Sequence, residues 1–300
     1  MKPAQIFDVV CIGNYTKDTI ITPSGTRYVD GGGMNYAAHA AARLGLKVAV
    51  VTRLAKEDER VVEKFTQAGI DCYPTYTPHS TQMCLNYPTT DPDIRTLTVT
   101  NTAGAIAPAD LEGLEMKAAV IGTSLRGEVG LDVVRLLKEK HVLLGLDVQG
   151  FVRVLRGQEL KYEPWEEMRE TLAVVGILKS DAVEAEFLTG EKDILKAAKA
   201  FASMGPKEVV LTHKDGVLIY TVDRANDLGF YPENLSGRSG RGDTCIGAYV
   251  AMRLNKTALE AGRWAAAVTS LKMEKLGPFD RSMPEVEALI KARYKDTIRG

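Results

Sequence analysis

The stretch SGRSGRGDTCIGAYVA, from Ser236 to Ala251, joins a glycine-rich turn to an apolar segment with helical spacing. A turn of this kind at the start of a helix presents unpaired backbone N–H groups and the positive end of the helix dipole, which together favour an anion such as phosphate. Asp243 places a carboxylate in the same turn, where it would repel that anion. The position of this carboxylate therefore needs an explanation.

Two explanations of Asp243 require no chemistry. Aspartate is among the commonest residues at the N-cap of a helix, where it accepts a hydrogen bond from an unpaired N–H group. Arg241, Gly242 and Asp243 also spell an adhesion tripeptide, although so short a motif arises by chance and the start of a helix is a poor place to display it. The rest of the chain has to decide between these explanations and a phosphate site.

Composition favours a globular protein with a small ligand. The 300 residues suffice for one large α/β domain or two small ones with a substantial core. The 38 basic and 39 acidic residues give a formal net charge of -1, which offers no electrostatic reason to expect nucleic acid or an anionic membrane as partner. We therefore expect a small-molecule partner.

The cysteines and the apolar runs indicate a cytoplasmic protein. Cys11, Cys72, Cys84 and Cys245 lack C-x-x-C spacing, which argues against a zinc site or a disulfide framework and fits a reducing cytosol. The N-terminal run MKPAQIFDVVCIG is too short for a signal peptide or a membrane span, and no later run reaches about 18 uninterrupted apolar residues. We predict a protein without a membrane segment.

Short β-rich runs alternate with helical patterns along much of the chain. The predicted strands are FDVVCIG, VAVVTRL, AAVIGTS, VLLGLDV, VVGILKS, EVVLTH and GVLIYT. The predicted helices include AAHAAARLG, DERVVEKFTQAG, LDVVRLLKEK, DAVEAEFLTG and DILKAAKAFASMG. This alternation predicts a doubly wound α/β fold, a mainly parallel sheet with right-handed crossovers and helices on both faces.

Two regions interrupt the alternation, Thr19 to Asp30 and Cys72 to Thr100. Both alternate in polarity and are rich in Thr, Tyr and Val, which predicts antiparallel strands. We expect them to form one small sheet that acts as a lid over the C-terminal edge of the main sheet, with an ordinary edge hairpin as the alternative. Residues 1–300 would then be a single domain, and the exposed edge of the lid could join two chains in a homodimer.

Four separated segments resemble the ribokinase-like (PfkB) carbohydrate kinases, in the order of that family and over almost the whole length. DGGGMNYAAHAAARLG, from Asp30 to Gly45, resembles the N-terminal signature, and SGRGDTCIGAYV resembles the C-terminal signature. LKSDAVEAEFLTG resembles the Asn-x-x-Glu region, and VVLTHKDGVLIY resembles the nucleotide-side strand and turn. The resemblance implies a ribokinase-like fold and transfer of the γ-phosphoryl group of ATP to a hydroxyl of a sugar or polyol.

Three further segments, IGNYTKDTII, LDVQGFVR and GPFDRS, resemble the inositol-kinase branch of the family. An inositol-like acceptor is therefore a candidate beside the sugars. A nucleoside kinase of the same fold is an alternative, and its acceptor pocket would need aromatic surfaces around a base. A nucleotide-binding or sugar-binding protein without catalysis is another alternative, which the intact Gly-x-Gly-Asp turn disfavours.

The resemblance implies catalytic roles for the turn quoted above. Gly240, Arg241 and Gly242 would form an anion hole, because the glycines leave N–H groups free to converge on phosphoryl oxygens. Asp243 would be the base that takes the proton of the acceptor hydroxyl as the new P–O bond forms. The family usually has a small residue in place of Arg241, and we expect its guanidinium to face solvent or to form a structural ion pair.

The resemblance implies ATP and Mg²⁺ as cofactors and leaves a monovalent cation open. Asp181 and Glu184, spaced i, i+3 at a helix start, would hold the Mg²⁺, although the family normally has Asn at the first position. A plain helix cap is the alternative for this pair. Thr212 and Gly216 match the turn on the adenine side, but Lys214 replaces the glycine usually found between them.

The acceptor site is expected at the C-terminal edge of the first strand, beside the first glycine signature. Asp18 resembles the family residue that accepts hydrogen bonds from sugar hydroxyls. Tyr36 stands where ribokinase has a sugar-binding Asn, with Asn35 one residue earlier, which argues against a simple ribokinase. Gln149 and Arg153 follow the strand VLLGLDV and resemble acceptor-pocket residues of the inositol-like branch, with a solvated loop as the alternative. The predicted acceptor residues are Asn14, Asp18, Gly31, Gly32, Gly33, Asn35, Tyr36, Gln149 and Arg153.

Overall fold

The structure is a computed structural model that describes residues 6–89, 96–222 and 224–294. The strands are β1 (Ile6–Ile12), β2 (Thr16–Thr22), β3 (Gly25–Gly31), β4 (Val48–Ala55), β5 (Ile70–Thr77), β6 (Thr81–Asn86), β7 (Thr96–Asn101), β8 (Glu115–Ile121), β9 (Leu143–Asp147), β10 (Arg153–Arg156), β11 (Glu159–Tyr162), β12 (Ile177–Asp181), β13 (Glu208–Thr212), β14 (Gly216–Thr221) and β15 (Ala225–Gly229). The helices are α1 (Gly33–Arg43), α2 (Arg60–Gln67), α3 (Leu131–Glu139), α4 (Gln149–Val152), α5 (Met168–Leu172), α6 (Ala182–Thr189), α7 (Ile194–Ala202), α8 (Arg241–Arg253), α9 (Ala258–Met273) and α10 (Met283–Arg293).

The strands form two sheets of unequal size. The large sheet has the order β15-β14-β13-β12-β9-β8-β1-β4-β5. Its strands from β13 to β5 are parallel, and β14 and β15 extend one edge as an antiparallel hairpin. The predicted doubly wound, mainly parallel sheet is therefore confirmed.

The interior strand β1 is buried on both faces from Val9 to Ile12, which explains the continuous apolar run VVCI. Val9 and Cys11 pack on one face, in a core formed with α1, α8 and α9. Val10 and Ile12 point to the other face, in a core that includes α3 and α7. Each face of the large sheet is thus covered by helices, as the alternating sequence pattern predicts.

The helices α1 and α8 lie unusually close to each other. A Cβ atom at Gly247 of α8 would lie 2.5 Å from the Cα atom of Ala37 in α1, so that position has room for glycine alone. The alanine-rich sequence of α1 supplies the small surface for this contact. Because both helices begin at the C-terminal edge of the sheet, their close packing brings their N-termini together there.

The small sheet has the order β10-β11-β7-β6-β2-β3 and corrects the predicted lid in three respects. The first part of Cys72–Thr100 lies in β5, which pairs in parallel with β4 and belongs to the large sheet. As an edge strand with one covered face, β5 alternates in burial as a lid strand would, so the sequence could not separate them. The small sheet also gains β10 and β11, and β2 pairs with β6 in parallel.

Three residues separate the end of β1 from β2 of the small sheet, so this sheet begins at the C-terminal edge of the large sheet. An apolar cluster of Ile20, Met83, Leu85 and Val99 joins its strands. Within the described residues, no helix is long and apolar enough to cross a membrane.

Candidate active site

A cavity of about 680 Å³ lies between the C-terminal edge of the large sheet and the small sheet. The small sheet contributes Met83, Leu85 and Leu97 to its wall. The ends of three parallel strands contribute residues predicted from the sequence, because parallel strands bring their carboxyl ends to one edge. The predicted residues that line this cavity are Asp18, Gly32, Gly33, Tyr36, Gln149, Arg153, Asp181, Thr212, Gly240, Arg241, Gly242 and Asp243.

The turn before α8 requires glycine at two positions for steric reasons. Gly240 has a φ of 76°, in the left-handed region, and a Cβ atom there would lie 2.3 Å from the ring of Tyr36. A Cβ atom at Gly242 would lie 2.4 Å from Nζ of Lys179. The turn therefore brings its backbone against a buried ring and a buried ammonium group, which no larger residue would permit.

Asp243 is not the N-cap of α8. Gly240 occupies that position, α8 begins at Arg241, and Asp243 is the third residue of the helix. The N–H of Arg241 donates a 3.3 Å hydrogen bond to Arg238 O in the segment before the helix. The N–H of Gly242 belongs to the first turn of α8, where N–H groups have no intrahelical partner. The helix-cap explanation of Asp243 is thus excluded, and Gly240 and Gly242 are better placed than Arg241 to offer N–H groups to an anion.

The Asp243 side chain is suited to accept a proton. It is 9% exposed, and its Oδ1 atom has no hydrogen-bond partner among the described residues. Burial raises the pKa of Asp243, while the positive charges of Lys179 and Arg153 oppose that rise. An unpartnered carboxylate oxygen with a raised pKa at the wall of a cavity is the arrangement that a general base requires.

The glycine signature lies against two carboxylates. A Cβ atom at Gly31 would lie 2.3 Å from Oδ2 of Asp18, and one at Gly33 would lie 2.5 Å from Oδ1 of Asp243. Burial raises the pKa of Asp18 to about 6, a hydrogen bond from Thr16 lowers it, and the charge of Asp243 adds to the rise. The glycines thus allow both carboxylates to approach the backbone at the N-terminus of α1.

Lys179 is a site residue that the sequence analysis missed. Its Nζ atom lies 2.9 Å from Oδ2 of Asp147, and the two side chains are 4% and 1% exposed. Burial alone would lower the pKa of Lys179, but the charges of Asp147 and Glu184 raise it overall, so the side chain is an ammonium ion. The signal in the sequence was a lysine inside the apolar strand ILKSD, since buried lysines are rare unless paired.

Asp181 and Glu184 hold each other at the start of α6. The N–H of Glu184 donates to Oδ1 of Asp181 at 2.8 Å, and the N–H of Asp181 donates to Oε2 of Glu184 at 3.0 Å. The Oε1 atom of Glu184 lies 3.6 Å from Nη2 of Arg153. Burial raises the pKa of Glu184 to about 7, and the Lys179 charge opposes the rise. The helix-cap alternative is therefore correct for the structure of this pair, although Asp181 still faces the cavity.

The pair fits a Mg²⁺ ion in its chemistry. Asp181 lines the cavity, and Oε1 of the buried Glu184 has no hydrogen-bond partner among the described residues. No group of three or more His, Cys, Asp or Glu side chains within those residues is placed to hold a metal. Mg²⁺ commonly uses one or two carboxylates together with substrate phosphates and water, so two carboxylates suffice.

Gln149 and Arg153 face the cavity, unlike the residues of a solvated loop. The N–H of Gln149 donates to Oδ1 of Asp147 at 3.1 Å, which places Gln149 beside the buried ion pair. The Arg153 side chain is 14% exposed and approaches Glu184, so it reaches the residues predicted to hold the metal.

The structure differs from the prediction at residues that do not line the cavity. Asn14 is fully buried and donates from Nδ2 to Gly104 O at 2.7 Å. Asn35 donates to Asp30 O at 3.1 Å and faces a second cavity of about 440 Å³. A Cβ atom at Gly216 would lie 2.4 Å from Leu228 O, so this glycine serves the β14–β15 hairpin. The predicted residues outside the lining are Asn14, Gly31, Asn35, Glu184 and Gly216.

Comparison with known proteins identifies the family of this chain. Residues 6–285 match the pfkB family carbohydrate kinase. The cytidine kinase of Thermococcus kodakarensis is 28% identical over 255 residues, which cover 82% of this chain and 88% of that protein.

Two solved structures of pyrophosphate-dependent kinases in the ribokinase family are also similar. One is a sulfate complex, with a TM-score of 0.87 and 31% identity over 93% of this chain and 99% of that chain. The other is a complex with a pyrophosphate analog and myo-inositol, with a TM-score of 0.86 and 30% identity over the same shares of the two chains. Since the family match extends over most of the chain, this protein belongs to the pfkB family of carbohydrate kinases and is a phosphotransferase with a hydroxyl acceptor.

Proposed function

We propose that the protein transfers a phosphoryl group from pyrophosphate to a hydroxyl of a cyclic polyol of the inositol type. The observation that carries this proposal is the basic donor end of the cavity. Lys214, Arg238 and Arg241 line the cavity, as do the apolar side chains of Ala182 and Val183. Pyrophosphate is compact and highly charged, so basic side chains and turn N–H groups can meet nearly all of its surface.

The environment of Arg241 disfavours a nucleobase next to the turn. Its guanidinium carbon lies 6.0 Å from the centroid of the Phe230 ring, so this ring already has a cation beside it. A nucleoside needs apolar or aromatic surface, and the basic residues at Lys214 and Arg241 stand where the family usually has small ones. ATP, the donor that the sequence predicts, is the second candidate, because its terminal phosphates could use the same turn.

The acceptor end suits a molecule with several hydroxyl groups. Asp18, Gln149 and Arg153 line the cavity and supply acceptors and donors of hydrogen bonds. The solved relative that is complexed with myo-inositol is 30% identical over 93% of this chain, which supports a cyclic polyol as the acceptor.

The residues of the site can perform this transfer. The acceptor oxygen attacks phosphorus, the bridging P–O bond of pyrophosphate breaks, and orthophosphate leaves. Asp243 takes the proton of the hydroxyl, while the N–H groups of Gly240 and Gly242 and the ammonium of Lys179 offset the charge on the transferred group. A Mg²⁺ ion held by Asp181, with Glu184 behind it, would neutralise charge on the donor oxygens.

A nucleoside acceptor is the second candidate for the reaction. Tyr87 and Tyr162 line the cavity, which places aromatic surface near the small sheet, and the Thermococcus relative is a cytidine kinase. The third tyrosine of the lining, Tyr36, is 4% exposed with its ring against Gly240, so it offers little surface for stacking.

The proposal is tested by incubating the protein with Mg²⁺, one donor and one acceptor, and following phosphomonoester formation by phosphorus NMR. The donors are pyrophosphate and ATP, and the acceptors are myo-inositol, pentoses, hexoses and cytidine. We expect pyrophosphate with an inositol to be the fastest pair, and Asp243→Asn protein from the same purification controls for contaminating enzymes. Turnover with ATP and none with pyrophosphate would overturn the assignment of pyrophosphate as the donor. Faster turnover of cytidine than of myo-inositol would overturn the assignment of a cyclic polyol as the acceptor.

A matched pair of variants tests the basic donor end. Lys214→Ala should raise the KM for pyrophosphate about tenfold, because a charge-assisted contact is worth roughly 1.5–3 kcal/mol. Lys138→Ala removes an exposed lysine on α3, away from the cavity, and should leave that KM unchanged. Equal KM values in the two variants would argue against binding of the donor at Lys214.

A further inference from the structure

Lys272 is a lysine in the last turn of α9 that is only 2% exposed. Its ammonium group donates hydrogen bonds to the backbone oxygens of Gly237 and Ser239. It also lies 5.3 Å from the centroid of the Tyr36 ring. These carbonyl groups directly precede the Gly240 turn, so a buried positive charge lies behind the predicted anion hole.

The bonds to Lys272 fix the direction of neighbouring N–H groups. In a trans peptide the C=O and the following N–H point in opposite directions. When the carbonyl of Ser239 points inward to Lys272, the N–H of Gly240 must point outward, and Gly240 lines the cavity. The bond from Lys272 to Gly237 O fixes the N–H of Arg238 in the same way.

The backbone around these carbonyls has little freedom to turn in another way. The N–H of Gly237 donates to Met273 O at 2.8 Å, and a Cβ atom at Gly237 would lie 1.8 Å from Lys275 O. The ring of Tyr36 closes the other end of the segment at Gly240. The segment is therefore packed on both sides, and the ammonium group supplies the charge that its inward carbonyls need.

An isolated ammonium group is costly to bury unless polar groups solvate it. Burial lowers the pKa of Lys272 to about 8, and the negative charge of Asp243 opposes that change. The group is therefore still charged at neutral pH. Backbone carbonyls that replace the water around a small cation are also the ligands of K⁺ in proteins, so an ammonium group and a free monovalent cation can serve the same oxygens.

We propose that Lys272 is a positioning residue whose ammonium group acts as a built-in monovalent cation, holding the Gly237 and Ser239 carbonyls so that the anion hole is formed without a free cation. The inference rests on phosphoryl transfer at the Gly240–Asp243 turn, but not on the identity of the donor or acceptor. The sequence left open whether the enzyme needs a monovalent cation. With Lys272 in place the wild-type enzyme should need none, and removal of the lysine should make the enzyme depend on one.

The first measurement is the rate of the wild-type enzyme in buffers whose sole monovalent cation is tetramethylammonium, with K⁺, NH₄⁺ or Na⁺ added in turn. The assay uses whichever donor and acceptor the enzyme turns over. The test of Lys272 therefore remains valid if pyrophosphate or an inositol proves to be the wrong substrate. We expect changes below about twofold, since the site already holds a cation. Stimulation of the wild type by K⁺ or NH₄⁺ of about tenfold or more would overturn the proposal, and this result depends on no variant.

The second measurement uses Lys272→Met, which keeps the length and removes the charge. We expect kcat to fall about a hundredfold, the range found when one donor of an oxyanion hole is lost, and K⁺ or NH₄⁺ to restore about tenfold of that loss. Lys275→Met is the matched control: Lys275 is three residues further along, exposed and paired with Asp280, and its loss should change neither rate nor cation response. Wild-type activity in Lys272→Met, or a lost activity that no cation restores, would overturn the proposal.

A binding measurement separates positioning from general damage to the fold. Sulfate titrated into the folded protein probes the anion hole without turnover. Lys272→Met should bind sulfate about tenfold more weakly in tetramethylammonium buffer and recover affinity in K⁺, while its melting temperature is followed on the same preparation. Weaker sulfate binding that K⁺ does not restore would mean that Lys272 has a packing role alone, which contradicts the inference.

Discussion

The carboxylates of Asp18 and Asp243 approach the same glycine segment, one at Gly31 and the other at Gly33. Cβ atoms added at these glycines would lie 2.3 Å from Oδ2 of Asp18 and 2.5 Å from Oδ1 of Asp243. Each carboxylate has a buried Oδ1 atom without a hydrogen-bond partner among the described residues. An acceptor hydroxyl group bound here could be held by Asp18 while Asp243 takes its proton, which divides binding and proton transfer between the two residues.

Asp18→Asn should impair use of the acceptor far more than use of the donor. The loss of a charge-assisted hydrogen bond to a buried hydroxyl costs about 1.5–3 kcal/mol, which is roughly a ten- to hundredfold fall in kcat/KM for the acceptor. Steady-state kinetics with each substrate varied in turn give both constants. An unchanged kcat/KM for the acceptor would remove Asp18 from the acceptor site.

Asp18 should also make stability depend on pH in an unusual direction. Its pKa in the folded protein is about 6, above the value of about 3.9 for an unfolded chain. Between these values the folded state holds a proton that the unfolded state has lost, so the free energy of unfolding falls as pH rises from about 4 to about 6. Above pH 6 the buried charge should cost on the order of 3 kcal/mol, and below pH 4 it should cost nothing.

Melting temperatures of the wild type and Asp18→Asn across this pH range test the linkage. We expect the variant to be more stable than the wild type at pH 7 and the difference to shrink toward pH 4. A difference that does not change with pH would show that Asp18 titrates normally in the folded protein. The acceptor affinity of the wild type should move in the opposite direction and weaken below pH 6, because a protonated Asp18 accepts fewer hydrogen bonds.

The ion pair of Lys179 and Asp147 should be required for both stability and rate. Lys179→Met leaves the buried Asp147 carboxylate without its partner, which typically destabilises a protein by about 3–5 kcal/mol. Adding Asp147→Asn removes the unpaired charge, so the double variant should recover much of the lost stability. It should not recover kcat, because the ammonium beside Gly242 is still missing.

Denaturant unfolding and kinetics on the two variants separate these effects. If the double variant regained wild-type kcat along with its stability, Lys179 would be a structural residue with no part in phosphoryl transfer.

Arg241→Ala distinguishes two roles of the guanidinium group. The sequence favours a peripheral role, and the contact with Phe230 is consistent with a side chain anchored at the edge of the cavity. We expect kcat to fall by a few fold and the KM for pyrophosphate to rise about tenfold. A fall of about a thousandfold in kcat would instead indicate stabilisation of charge in the transition state.

The fold and the glycine turn before α8 could be predicted because their signals are local. Strands buried on both faces are continuous apolar runs, and the glycines at 240 and 242 are where a side chain would meet Tyr36 and Lys179. The strand β5 could not be assigned to a sheet, because its alternating burial is the same at the edge of either sheet. Lys272 gave no signal, since one lysine near a helix end usually faces solvent and its partners lie more than thirty residues away.

Pairing within the fold also explains why some predicted site residues do not line the cavity. Asn14 and Asn35 are polar residues beside the expected site, but each amide donates to a nearby backbone carbonyl. Gly216 lies at the expected turn, but the backbone of the neighbouring strand β15 occupies the place where a side chain would be. The sequence shows the chemical type of such residues, and the packing decides which direction each one faces.

Asp243→Asn is the most direct test of the mechanism, because the structure separates the chemical role of this residue from a structural one. Gly240 is the N-cap of α8 and Oδ1 of Asp243 has no partner among the described residues, so asparagine should fit without loss of a cap. The substitution removes the base and should lower kcat about a hundredfold or more. It also removes a negative charge beside the donor phosphates, so the donor should bind slightly more tightly.

Kinetics, thermal melting and donor titration on one preparation of Asp243→Asn distinguish this from damage to the fold. Damage would weaken donor binding and lower the melting temperature together. The raised pKa of Asp243 adds a second expectation: burial disfavours the charged form, so the variant should melt no lower than the wild type at neutral pH. Turnover near the wild-type rate in a folded variant would mean that another group takes the proton, and the assignment of Asp243 as the base would have to be abandoned.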